Sequence, residues 1–231
     1  ADVKQARNDG ATALMLASRS GREATVRALV ELGADVKQAN RDGATALMAA
    51  SESGHEGTVR ALVELGADVK QAKRNGVTVL MLASQSGRRA TVCALVELGA
   101  DVRQADSDGF TALMAASERG REATVRALAE LGADVKQADT DGRTALMSAS
   151  RKGHEATVRA LVELGADVRQ ADSNGWTALM AACEHGHERT VRALVELGAD
   201  VKQVRNDGVT AVMSASFSGH EATVRALVEL G

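Results

Sequence analysis

Residues 133–165 read ADVKQADTDGRTALMSASRKGHEATVRALVELG. Asp141-Gly142 marks a tight turn, because glycine there takes the positive φ that a short reversal needs. Thr144 follows as an N-cap for a short helix, ALMSASRK. Gly153 ends that helix, free of the Cβ that penalises a left-handed residue. A second helix, from about His154 to Leu164, places Val158, Leu161 and Val162 at i, i+3 and i+4 on one face. Gly165 stops it, and the next ADV extends toward another turn. The unit is turn, helix, turn, helix and extended finger. Alone, it cannot bury its apolar face.

The stretch is one of seven. ADV recurs at Ala1, Ala34, Ala67, Ala100, Ala133, Ala166 and Ala199 with a constant spacing of 33, so the 231 residues divide without insertion. The copies are 1–33, 34–66, 67–99, 100–132, 133–165, 166–198 and 199–231. A period of this size marks stacked units, each contacting its neighbours. We expect one all-α domain over 1–231, a solenoid of helix-turn-helix units joined by short fingers, with no distinct capping repeats. Composition agrees. There is no proline and aromatics are 1%, so the core must be thin layers of aliphatic side chains.

The pattern resembles the ankyrin repeat: 33 residues, a D-G-x-T turn, a helix pair, a central G-H and a closing L-G-A-D-V, over the whole chain. The family's T-P-L-H appears as Thr12-Ala13-Leu14-Met15, and likewise from Thr45, Thr111, Thr144 and Thr177. Val79 replaces the alanine in the third copy, and Val212 the leucine in the last. Proline is favourable at the first helical position but not required. Methionine cannot make the polar brace of the family's histidine, so apolar packing is expected there. The resemblance implies a non-enzymatic scaffold that holds a protein partner on a concave face of finger tips and first helices.

Other function classes find little support. A net charge of −3 gives no general pull toward nucleic acid or an anionic membrane. The basic row of Lys4, Lys37, Lys70, Arg103, Lys136, Arg169 and Lys202 is flanked by an equally regular row of aspartates. No apolar run approaches the ~20 residues of a membrane helix. Glu23, Arg27 and Glu31 recur at helical spacing in most copies as a solvated charge ladder, broken in the third by Arg89 and Cys93.

Residues 173–188, SNGWTALMAACEHGHE, look at first like a metal or catalytic centre. Alignment with the sister copies removes most of that chemistry. Cys183 stands where six copies have serine, and His187 holds a position shared by three other histidines and three arginines. We therefore expect no metal, cofactor, small-molecule substrate or catalytic residue. Cys93 and Cys183 lie almost three repeats apart, beyond the roughly 7 Å that a disulfide spans between Cα atoms. Two unpaired thiols point to an intracellular, cytoplasmic setting.

The copies differ mainly at their seventh, eighth, eleventh, nineteenth and twentieth residues, which the resemblance places on the partner-binding face. All three aromatics fall there: Phe110 and Trp176 at the eleventh, Phe217 at the nineteenth. The eleventh row also puts Arg143 between Phe110 and Trp176, within reach of either ring for a cation–π contact. Asp106, Asp139 and Asp172 give the surrounding finger tips an acidic character, and Glu118, Arg119, Arg151 and Glu184 complete the candidate surface. Drift after duplication explains the variability. It does not explain the clustering of aromatics, which one protein-binding patch does.

Both terminal copies keep core-type residues: Leu14, Val26 and Leu29 in the first, Val224, Leu227 and Val228 in the last. They are expected to be exposed. Two readings follow: the chain is a window on a longer array, or copies self-associate end to end into filaments, a structural role.

Overall fold

A computed structural model describes residues 2–231. Among the described residues, short helices at Ala13–Arg19, Ala46–Ser53, Val79–Gln85, Ala112–Glu118, Ala145–Arg151, Ala178–Glu184 and Ala211–Phe217 alternate with second helices. The second helices are Glu23–Glu31, Glu56–Glu64, Arg89–Glu97, Glu122–Glu130, Glu155–Glu163, Glu188–Glu196 and Glu221–Leu230. No sheet forms among the described residues; the fingers make isolated antiparallel bridges such as Ala138 with Thr144. The chain divides into two compact units, Ala1–Ser107 and Asp108–Gly231.

The expected local signals act where they were placed. Thr144 Oγ1 accepts from the Met147 amide at 3.3 Å, capping the first helix of the fifth repeat. That helix ends at Arg151, and Gly153 turns the chain at φ +73°. Within each unit, first helices stack on first helices of the next repeat, and second helices on second helices. Leu146, Leu161 and Val158 form the fifth repeat's layer of the core. Each such side chain contributes roughly 1.5–3 kcal/mol of burial. Met48, Met114, Met147 and Met180 are buried among these layers, as expected for the T-A-L-M variant.

The inter-repeat brace comes from a different residue, the histidine of G-H. His187 Nε2 hydrogen-bonds the Arg151 carbonyl at 3.0 Å, and His154, His220 and His55 do the same to Glu118, Glu184 and Arg19. Each ring lies over the preceding repeat's glycine: a Cβ on Gly153 would stand 2.6 Å from His187 Nδ1. The charge ladder is also more than a set of i, i+4 pairs. Arg126 donates to Glu122 of its own helix at 2.9 Å and to Glu163 of the next repeat at 2.8 Å. Arg27, Arg60, Arg159 and Arg192 repeat this arrangement.

The expectation for the terminal copies holds for Val228 and needs correction for three residues. Leu14, Val26 and Leu227 are buried. Val228 is exposed as expected, and Leu29 and Val224 are half-buried; Leu16, Leu32, Val204, Met213 and Phe217 are further exposed apolar side chains in these copies.

Candidate functional site

The unit from Asp108 onward carries a cavity of ≈ 310 Å³ lined by finger residues and first-helix residues. Phe110, Asp139, Arg143, Arg151, Asp172, Trp176 and Glu184, all expected on the binding face, line it together. Met147, Ser148, Asn174, Ala181 and Arg205 complete it. Trp176, Glu184 and Arg205 also line an adjoining hollow of ≈ 400 Å³ with Val209, Met213 and Phe217. Phe217 is 94% exposed. The expected aromatics thus border two hollows that share the Trp176 ring.

The fingers set these side chains by local hydrogen bonding. Asp139 Oδ1 accepts from the Asp141 and Arg143 amides at 3.0 and 2.8 Å. Asp172 Oδ1 accepts from the Asn174 and Trp176 amides at 2.9 and 2.8 Å. Each carboxylate therefore closes its own hairpin and fixes the direction of the eleventh residue. Successive fingers are tied by backbone: the Ser173 amide donates to the Asp141 carbonyl at 3.0 Å. The close approach depends on Gly142, at φ +87°, where a Cβ would meet the Ser173 nitrogen at 2.9 Å.

Electrostatics follow from this geometry. Asp139 Oδ2 accepts from Arg143 Nε at 2.8 Å, and its side chain is only 4% exposed. The bond to Asp139, with Asp141 close by, raises the Arg143 pKa above the usual guanidinium value. The cation over Trp176 is Arg205, its Cζ 4.6 Å from the ring centroid. Arg143 had been expected in that role, but two aspartates hold it beside its own finger. Glu118 is drawn to Arg151 at 3.2 Å and Lys152 at 3.7 Å. With Arg119 it borders a separate hollow beside Arg121, Lys152 and His154. Asp106 belongs to the other unit.

One more row of the repeat bears on the cavity. The sixteenth position reads Leu16, Ala49, Leu82, Ala115, Ser148, Ala181 and Ser214. The small residues of this row in the fifth and sixth repeats, Ser148 and Ala181, both line the cavity. Arg205 was visible as a change of sign in the seventh-position row, but not as a cap on a ring.

The residues that first resembled a metal or catalytic centre are engaged in scaffolding. Burial pushes the Cys183 thiol up to about 12, far from a reactive thiolate. His185 Nδ1 lies 3.1 Å from the Ala181 carbonyl, and its ring stacks on His187 at 6.1 Å. Among the described residues, no group of three or more His, Cys, Asp or Glu side chains is placed to hold a metal ion, and no helix is long and apolar enough to cross a membrane.

The family model described as "Ankyrin repeats (3 copies)" matches residues 14–106, 80–172 and 165–231. The chain belongs to the ankyrin-repeat family. A solved relative in fold is the human ASB11 ankyrin repeat domain, 26% identical, with a TM-score of 0.85 over 96% of this chain and 98% of that one. No curated protein matches the chain significantly. The fold is thus the all-helical ankyrin-repeat solenoid that the 33-residue period implied. Ankyrin repeats generally mediate protein–protein interaction, and the family is typically a non-enzymatic scaffold.

Proposed function

We propose that this ankyrin chain is a non-enzymatic scaffold whose protein partner docks on the finger and first-helix face of the unit from Asp108, centred on Trp176. One observation carries the reading. In a chain with three Phe, Trp and Tyr residues in all, Phe110 and Trp176 line one cavity, and Trp176 and Phe217 line the next. Tryptophan and arginine dominate binding hot spots, and recessed aromatics give a partner side chain somewhere to lodge. Arg143 and Arg151 frame the recess, and Asp139 and Asp172 orient it through their hairpins.

The test is a selection of binders from a displayed library of random peptides, followed by affinity measurement on Phe110→Ala/Trp176→Ala. Loss of a hot-spot aromatic costs about 2 kcal/mol or more, which is roughly thirtyfold in affinity. Selected binders should weaken by at least that factor. Binders indifferent to the double substitution would place the docking surface elsewhere.

A further inference from the structure

Resting on that reading of the face, we infer that its occupant is an acidic segment of the partner, in which a carboxylate side chain stands next to an apolar one. Three guanidinium groups line the cavity around Trp176: Arg143, Arg151 and Arg205. The acids that line it are mostly spent. Asp139 is withdrawn from solvent with three donors on its carboxylate. Asp172 holds two finger amides. Glu184 is the lining acid whose carboxylate stays at the surface, beside His185.

Arg143 is held by Asp139 and Asp141, but Arg151 and Arg205 keep capacity in hand. Arg151 and Lys152 share one carboxylate, that of Glu118, at 3.2 and 3.7 Å. Arg205 is paired with one carboxylate, that of Asp207, at 2.9 Å through a terminal nitrogen. A guanidinium offers five N–H donors, so one acid leaves several unused. The ladder arginines of the second helices differ: Arg159 and Arg192 each hold two glutamates. Arginine left with spare donors beside an aromatic face suits a carboxylate, which it can bind through two parallel N–H bonds. Met147, Ala181 and Phe110 line the same cavity and give an apolar surface for the neighbouring side chain. A volume of ≈ 310 Å³ sits at the bottom of the ~300–1,000 Å³ range of small-molecule pockets, enough for a side chain or two.

Trp176 is the only tryptophan in the chain, so its emission reports on the two hollows that it lines and on no other place. The probes are three acetylated, labelled peptides: Glu-Leu-Glu-Leu-Glu, Gln-Leu-Gln-Leu-Gln and Lys-Leu-Lys-Leu-Lys. Binding is read by Trp176 emission and by anisotropy of the label. The acidic peptide should shift the emission saturably and bind at least tenfold more tightly than the amide peptide. Its affinity should fall as salt rises. Arg151→Gln and Arg205→Gln should each weaken it about tenfold, while Arg126→Gln on the second-helix ladder should not. Arg151 is exposed, so its variant keeps the test valid even if Arg205→Gln disturbs the fold. Equal binding of the amide peptide overturns the inference, as does preference for the lysine peptide or failure of the acidic one to bind. None of these touches the docking face itself, which the library selection tests separately: binders that need Trp176 but no acid would sink the inference alone.

Discussion

Replacing Gly153 by alanine tests the inter-repeat brace directly. Gly153 sits at φ +73°, and a left-handed backbone costs a non-glycine residue roughly 1–2 kcal/mol. The new methyl would also stand 2.6 Å from His187 Nδ1 and 2.7 Å from its Cγ. Those atoms belong to a rigid ring pinned by the 3.0 Å bond to the Arg151 carbonyl. Displacing it forfeits a hydrogen bond of about 0.5–1.5 kcal/mol. The expected total is roughly 1.5–3.5 kcal/mol. Gly165 supplies the control. It has φ +99°, but nothing lies within 4 Å of a Cβ there, so Gly165→Ala should lose only the backbone part. Urea denaturation followed by circular dichroism reads both variants, and a cycle with His187→Ala isolates the ring. In the His187→Ala background, Gly153→Ala should cost about 1 kcal/mol less than in the parent. If Gly153→Ala costs no more than Gly165→Ala, the Gly–His contact is not a brace and the argument fails.

Two further outcomes are expected. Burial holds the His187 pKa below the ordinary imidazole value of 6.5. The unfolded chain therefore binds the proton more readily, and stability should fall as pH drops from about 6.5 toward the folded pKa. His187→Arg, the residue at this position in three sister copies, should flatten that part of the urea-midpoint profile. A profile unchanged by the substitution would refute it. Separately, Cys183 should resist a thiol reagent in the native state, since it is buried with its pKa near 12. Half-buried Cys93 should react, and both should react once unfolded. Rapid native labelling of Cys183 would show that its helix opens readily.

The period, the caps and the helix pairs were legible because they depend on short-range chemistry: threonine before a helix, glycine after it, apolar residues at helical spacing. The grouping of Phe110, Arg143 and Trp176 was legible for a related reason. In a repeat array, equal register means equal place, so comparing copies locates a surface. What escaped was interaction at unequal register. His187 reaches the carbonyl of Arg151, thirty-six residues back, and no pattern within one repeat signals that bond. Asp139 was read as surface charge, although its spacing of two and four residues from its amide donors is that of a hairpin clamp. Arg205 stacks on a ring in the preceding repeat, a matter of one long side chain's direction.

The central claim, a docking face at Trp176, is tested most directly by mapping amide chemical-shift changes on the isotopically labelled chain as a selected peptide is added. The account predicts that the largest changes gather at Phe110, Arg143, Ser148, Trp176, Ala181 and Arg205, while the second-helix ladder of Arg126, Arg159 and Arg192 stays quiet. Changes centred on that ladder, with Trp176 silent, would contradict it.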